Sequence, residues 1–329
     1  MKKTTFIILA ALLSFCFASC EKGVIAETDD NGQTGSKKQA KRLVELALDE
    51  ESITLSEEPM AFAGKPTVRA GAPGKVYAVN VYEKKNGAKS YSKYAYGLFT
   101  DPSSIAIMLT EGNLYRFECL VVADNEDKVY NKNGEYLAPF LVGSKETPAK
   151  SDNKFVKSSS ANFEGLTSGT TNISDKEKVM YPRVYKFYGT LEDFNPSSAV
   201  SALIKAKRVV FGLHLAITPP TEGKLDISFL KREITVNSTD EKYDKMSVYS
   251  FNQIAKACEE GYSGNTLITV EWTRADGTVK KATKTITLKR NVTTTVNIEM
   301  KNPPATIINL EEDDSTMTTE TVDWLVDFN

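Results

Sequence analysis

The protein has 329 residues, of which 41% are hydrophobic and 26% are charged, with 41 Lys and Arg residues against 43 Asp and Glu residues. This composition is typical of a globular protein rather than a disordered one, and the length suggests two domains. A formal net charge of -2 supplies no basic field for nucleic acid, and a single histidine leaves little material for metal sites or acid–base pairs, so composition argues against an ordinary enzyme.

The first twenty residues have the order of a secretory signal. Two lysines precede an apolar run over residues 6–13, and small residues then lead to Cys20. The run is too short to span a bilayer. The residues before Cys20 resemble a bacterial lipobox, in which the cysteine is acylated and becomes the first residue of the mature protein, although Phe17 replaces the usual leucine. We therefore predict a lipoprotein signal peptide over 1–20; the alternative is a soluble secreted protein that is cleaved elsewhere.

Residues 21–42 are rich in polar and small residues and predict a flexible tether. From Leu43 onward the apolar residues mostly recur at every second position, as in Leu114–Val121, which is typical of half-buried strands. Turn residues separate these runs at a spacing that suits an antiparallel sandwich. We therefore predict a mainly β fold, with an N-terminal β-sandwich domain over 43–175.

Residues 176–300 predict a second β-sandwich domain with sharper strand signals. The run Val209–Ile217 reads as a strand that two prolines end, because proline lacks the N–H that a central ladder needs. Asp276-Gly277 lies between Thr266–Thr273 and Thr278–Leu288, which is a strong hairpin signal. Val292–Met300 predicts a further strand.

Two segments carry helix signals, so we expect one or two short helices. Phe251–Glu260 places Ile254 and Cys258 on one face. Ser197–Lys207 begins with a good N-cap residue and contains good helix formers.

The sequence holds few residues arranged for chemistry. His214 shares its strand face with small residues and has no evident catalytic partner, and there is no Gly-x-Ser-x-Gly nucleophile motif. Cys119 and Cys258 read as small buried hydrophobes, although a disulfide between them is conceivable. No phosphate loop, dinucleotide fingerprint or metal-ligand spacing is present. We therefore predict no enzymatic activity, no metal, no cofactor and no nucleic-acid partner.

A lipobox, a polar tether, Thr67–Ala70 before the first confident strand, and two β blocks closing with Leu288–Val296 together resemble the Bacteroidales fimbrillin superfamily of surface lipoproteins. That resemblance implies two transthyretin-like β-sandwich domains and acyl-anchored export to the cell outer membrane. It also implies cleavage by an arginine-specific protease and polymerisation by donor-strand exchange with other fimbrial subunits.

The C-terminal tail, residues 301–329, carries acidic residues and then an alternating run that fits a donor strand over 321–328. Its large apolar residues share one face at period two: Val322, Trp324, Val326 and Phe328. Such a strand has a face to bury and would be an aggregation hazard if left free. The alternative is that this strand closes its own domain, because periodicity cannot identify the partner.

Arg69 and Arg42 are the candidate processing sites. Arg69 lies in a segment rich in Gly and Pro over 64–74, which predicts an exposed, cleavable loop. Cutting there would release residues 43–55, whose apolar residues could form the strand vacated for a donor. The alternative is an ordinary loop arginine. Ser315, between Asp314 and Thr316, resembles the O-glycosylation motif of this bacterial group.

Two functions follow. The first is a lipid-anchored fimbrial subunit or anchor that assembles by donor-strand exchange and contributes to adhesion. The second is a monomeric surface lipoprotein that binds glycans or host proteins.

Overall fold

The computed structural model describes residues 40–50, 74–123, 129–300 and 318–326, and β-strands dominate them. The strands, in chain order, are β1 (Lys41–Glu50), β2 (Lys75–Lys84), β3 (Ser92–Phe99), β4 (Ala106–Thr110), β5 (Leu114–Ala123), β6 (Asn131–Lys132), β7 (Glu135–Val142), β8 (Thr147–Lys150), β9 (Phe155–Lys157), β10 (Thr171–Asn172), β11 (Lys178–Val179), β12 (Tyr185–Phe194), β13 (Ser201–Arg208), β14 (Val210–Ile217), β15 (Lys224–Phe229), β16 (Arg232–Asn237), β17 (Tyr243–Ser250), β18 (Ser263–Thr273), β19 (Val279–Lys289), β20 (Val292–Met300) and β21 (Thr318–Val326). A short helix, α1 (Ile254–Ala257), and a 3-10 turn at Pro102–Ser104 complete the elements. The predicted mainly β fold is therefore confirmed.

The N-terminal half is built on an eight-stranded sheet of order β4-β1-β13-β12-β5-β2-β3-β9 within the described residues. β1 runs parallel to β13 and antiparallel to β4, and the other pairs are antiparallel. Side chains of β1 and β4 share one core with side chains of β2 and β5, although these strands are far apart in the sheet order. The sheet therefore folds over on itself, and this first core lies inside the fold.

Strand β2 contributes to the hydrophobic cores on both of its sides, because both of its faces are buried. Tyr77 and Val79 point into the first core, whereas Val76 and Ala78 belong to a second core that continues into the C-terminal half. A strand buried on both faces reads as a continuous apolar run, and β2 has one from residue 76 to 79.

The C-terminal half contains two four-stranded sheets, with orders β17-β14-β20-β21 and β16-β15-β18-β19. Phe211 and Leu213 of β14 pack in the second core with Ile227 of β15 and Ile268 of β18. The predicted hairpin is confirmed, since β18 and β19 pair antiparallel around Gly277, whose φ is 83°. The chain also forms parallel pairs, β14 with β20 and β20 with β21, which alternation alone does not predict.

The helix predicted over Ser197–Lys207 is wrong, because this segment contains strand β13. Ala202, Ile204 and Ala206 are buried while the residues between them are exposed, so burial at period two overrides the helix propensity of Ala and Lys. The helix predicted over Phe251–Glu260 forms only as α1.

No disulfide joins Cys119 and Cys258, the two cysteines in the described residues. Cys119 lies in the first core, whereas Cys258 packs against the second core. The predicted division between residues 175 and 176 stays a prediction; β12 and β13, which follow it in sequence, pair with the N-terminal sheet.

Candidate assembly site: strand β1 and the C-terminal strand

Strand β1 occupies an interior position in the N-terminal sheet, although it lies at the start of the described chain. Leu43 and Val44 face Met108 and Ile107 of β4, and on the other side Leu46 faces Ala202 of β13. Val44 is 0% exposed and Leu46 is 5% exposed, so β1 contributes both ladder hydrogen bonds and core volume. Without β1, the edges of β4 and β13 would face each other across an apolar slot.

Polar contacts fix the register of β1 at its beginning. Arg42 Nε lies 3.0 Å from Glu111 Oε1, and an Arg42 guanidinium N–H donates to the carbonyl oxygen of Ser197 at 3.3 Å. The Arg42 side chain is 37% exposed, so the ion pair contributes at most about 1 kcal/mol. Arg42, a candidate processing site, therefore lies within a paired strand rather than in a loop.

The C-terminal strand β21 pairs in parallel with β20 of its own chain and forms the outer edge of that sheet in the described residues. Trp324 faces Ile298 in the register, and Val326 faces Met300. Trp324 is 8% exposed and Val326 is 1% exposed, whereas Leu325 between them is 47% exposed. Of the four residues on the predicted apolar face, Trp324 and Val326 are thus buried in the second core of the same molecule, and Val322 is partly buried against that core.

Side-chain contacts hold β21 in this position. Lys289 forms an ion pair with Glu320, and Lys284 Nζ donates to the carbonyl oxygen of Asp323 at 3.0 Å. Asn297 Nδ2 donates to Asp323 Oδ1 at 2.6 Å. These groups are exposed, so they specify the register more than they add stability.

The other predicted site residues lie outside the described residues: Cys20, Arg69, Ser315 and Phe328. The structure places Val322, Trp324 and Val326 on one strand that packs in the second core, whereas Val44 and Leu46 of β1 pack in the first core. The candidate assembly site therefore consists of two separate features, the interior strand β1 and the edge strand β21.

His214 has two partners that the sequence did not indicate. Its Nε2 lies 2.6 Å from Asp244 Oδ1, and its Nδ1 lies 3.2 Å from Thr295 Oγ1. These partners are on β17 and β20, the neighbours of β14, so the contacts are cross-strand pairs on one sheet face. Asp244 and Thr295 lie 30 and 81 residues from His214 in the sequence, so no local motif predicts these contacts.

Lys186 on β12 is a buried amine that the sequence pattern did not indicate. Its side chain is 0% exposed, and its Nζ donates to the carbonyl oxygens of Gly169 at 3.3 Å and Thr170 at 3.4 Å. Burial lowers the pKa of Lys186 to about 7. Because the lysine lies between apolar strand residues, its strand pattern gives no sign of this environment.

Membrane-spanning helices and metal-ligand clusters are both absent from the described residues. These residues contain no helix that is long and apolar enough to cross a membrane. They also contain no group of three or more His, Cys, Asp or Glu residues placed to hold a metal ion.

No family model matches the sequence, and no curated protein matches it. Among solved structures, a provisionally assigned adhesin from Bacteroides ovatus is similar at 10% identity and a TM-score of 0.32, covering 78% of this chain and 88% of that one. The shaft pilin of Lactobacillus rhamnosus GG is similar at 11% identity and a TM-score of 0.26, covering 88% of this chain and 100% of that one. These TM-scores are too low for the similarities to carry an inference about function.

Proposed function

We propose that this protein is a fimbrial subunit or anchor that reaches the cell surface as a lipid-anchored precursor, assembles by donor-strand exchange and contributes to adhesion. Acylated Cys20 would hold the precursor in the cell outer membrane through the polar tether, and a cut after Arg69 would release a subunit from this anchor. The partners would be other fimbrial subunits, together with host or bacterial surface ligands. Two kinds of observation support this function: the sequence signals at the two ends of the chain, and the separate positions of β1 and β21.

The observation that carries this proposal is the position of β1 between β4 and β13. The chain leaves β1 through residues 51–73, which include Arg69. A cut after Arg69 would therefore leave β1 attached to the body only by ladder hydrogen bonds and by side chains such as Val44 and Leu46. Loss of β1 would open a slot with a ladder on both sides, which is the acceptor that strand donation needs.

The donor in this proposal is the C-terminal strand. β1 has ten residues and β21 has nine, and each buries alternate side chains, Val44 and Leu46 in β1 and Trp324 and Val326 in β21. β21 lies at a sheet edge and its exposed groups are held by surface contacts, so it can leave its own sheet at a lower cost than an interior strand. Arg69 suits the processing step better than Arg42, because Arg42 is paired within β1.

A direct experiment treats the purified chain, residues 21–329, with an arginine-specific protease and follows mass and size. We expect a cut after Arg69, release of residues 21–69 and growth of SDS-resistant multimers. An Arg69→Lys variant keeps the charge but resists the protease, so it should stay monomeric. A variant that ends at residue 317 should be cut normally and also stay monomeric, because it has no donor strand.

Two results would contradict this proposal. One is a fully cut wild-type chain that has lost residues 21–69 and remains monomeric at high concentration. The other is multimer formation that proceeds equally well in the variant without residues 318–329.

A second candidate function is a monomeric surface lipoprotein that binds a glycan or a host protein. The placement of β21 on β20 of its own chain favours it, since a strand that completes its own sheet has no need of a second subunit. In that case cleavage would leave the protein monomeric, with β21 retained in its own domain.

A further inference from the structure

A small pocket opens at one end of the C-terminal half, where the two four-stranded sheets meet the loop after β17. Its volume is about 160 Å³. Pockets for drug-sized ligands typically span about 300–1,000 Å³, so this one accepts a single ring. Its lining includes Tyr181, Phe251, Asn252, Tyr262, Gly264 and Asn265.

The floor of the pocket is apolar and its rim is aromatic. Phe251 is 3% exposed, whereas Tyr181 and Tyr262 are half-buried at the rim. The rings of Phe251 and Tyr262 pack edge to face, with centroids 5.0 Å apart and an interplanar angle of 88°. Tyr181 contacts Phe211 in the same edge-on manner at 6.4 Å. Since each wall ring is packed against another ring, the pocket is formed before any ligand arrives.

The polar groups of the pocket include one unused acceptor. Asn252 Oδ1 is buried and has no hydrogen-bond partner among the described residues. A buried acceptor without a partner carries the full cost of losing its water, so a ligand hydroxyl that donates to it is favoured. Asn265 already accepts from Thr287 Oγ1 at 3.0 Å through its own Oδ1, which leaves its amide N–H groups at the rim as donors.

The pocket lining carries no formal charge, since its residues are Tyr, Phe, Leu, Asn, Gln and Gly only. Burial raises the pKa of Tyr262, and the neighbouring Tyr181 raises it further, so its hydroxyl stays neutral. By contrast, a larger cleft of about 700 Å³ beside β3 and β8 mixes lysines with Glu135 and Asp152 and selects no single ligand class. The small pocket therefore excludes phosphates and carboxylates and favours a neutral polyhydroxylated ring.

We propose that this pocket binds one neutral sugar residue, with the sugar's apolar face against the half-buried Tyr262 ring and a hydroxyl donating to Asn252 Oδ1. Aromatic faces, amide groups and the absence of charge are together the chemistry that recognises a neutral pyranose. No residue of β1 lines the pocket, so sugar binding is expected whether or not the protein assembles by strand exchange.

The test is ligand-observed NMR with the purified chain and a panel of methyl glycosides. Neutral members are the methyl glucoside, galactoside, mannoside and N-acetylglucosaminide, and charged members are glucuronate and glucose 6-phosphate. We expect saturation transfer to at least one neutral glycoside and to neither charged sugar. Transfer to no neutral glycoside, or equal transfer to the charged sugars, would overturn the proposal.

Two variants locate the binding. A Cβ at Gly264 would lie 3.5 Å from Phe251 Cε1, which is ordinary contact, so Gly264→Leu fills the pocket without displacing backbone. It should weaken binding at least about tenfold, and Asn252→Ala should weaken it about fivefold through the lost acceptor. The matched control is Ser263→Leu, which adds the same side chain at the exposed neighbouring position outside the lining. Binding that both pocket variants leave unchanged, or that the control reduces equally, would place the sugar elsewhere and refute the site.

Discussion

Trp324 is the largest side chain of the C-terminal strand, and Trp324→Ala tests whether β21 truly closes its own domain. Trp324 is 8% exposed and lies in the second core opposite Ile298. Truncating a buried tryptophan typically costs about 3–5 kcal/mol, and the edge position of β21 favours the lower end, near 3 kcal/mol. Because whole domains have only about 5–15 kcal/mol of stability, this loss is large enough to measure clearly.

The assay is equilibrium unfolding in urea, followed by the fluorescence of Trp272. The sequence has two tryptophans, so this substitution leaves Trp272 as a single reporter, and its indole N–H donates to the carbonyl oxygen of Glu222 at 2.9 Å. The control is Leu325→Ala on the same strand, which should change the free energy of unfolding by less than about 0.5 kcal/mol because Leu325 is 47% exposed. An unchanged free energy of unfolding in Trp324→Ala would refute the packing of β21 against its own core.

Two further predictions concern Lys186 and Val44. The unfolded chain protonates Lys186 below pH 10.5 and the folded chain only below about 7, so the wild type gains stability between these pH values. Lys186→Met has no such group, so the free energy of unfolding of the wild type should rise by roughly 3 kcal/mol relative to that of Lys186→Met between pH 7 and pH 10 in urea. A constant difference between the two proteins would contradict a neutral buried amine. Val44→Ala should lower the stability of the intact chain by about 2 kcal/mol, because Val44 is 0% exposed in β1. It should have no effect on the body remaining after cleavage at Arg69, and an equal loss there would mean that β1 does not leave.

The strands of the C-terminal half were predictable because their patterns are local. Asp276-Gly277 between two β-branched runs specifies a hairpin, and β18 and β19 form around it. The helix prediction over Ser197–Lys207 was wrong because the composition of this segment favours a helix, whereas its burial in β13 alternates at every second residue. The local sequence at Ala202, Ile204 and Ala206 indicates a strand only weakly. Their packing into the first core is what stabilises the strand conformation.

The candidate site was predictable in part for the same reason. The alternation of Val322, Trp324 and Val326 predicts a strand with one buried face, and β21 has that face. Alternation does not predict which strand pairs with β21. In the structure that strand is β20, and the two run parallel. The contacts of His214 with Asp244 and Thr295 depend on which strands are neighbours, which is a property of topology rather than of any local motif.

The most direct test of donor-strand assembly is mass spectrometry of the mature protein recovered from the surface of the cells that make it. Assembly by strand exchange predicts a chain that begins at Ala70 and migrates as an SDS-resistant ladder. A monomer that retains an acylated Cys20 and an intact Arg69 would contradict strand exchange through the β1 slot.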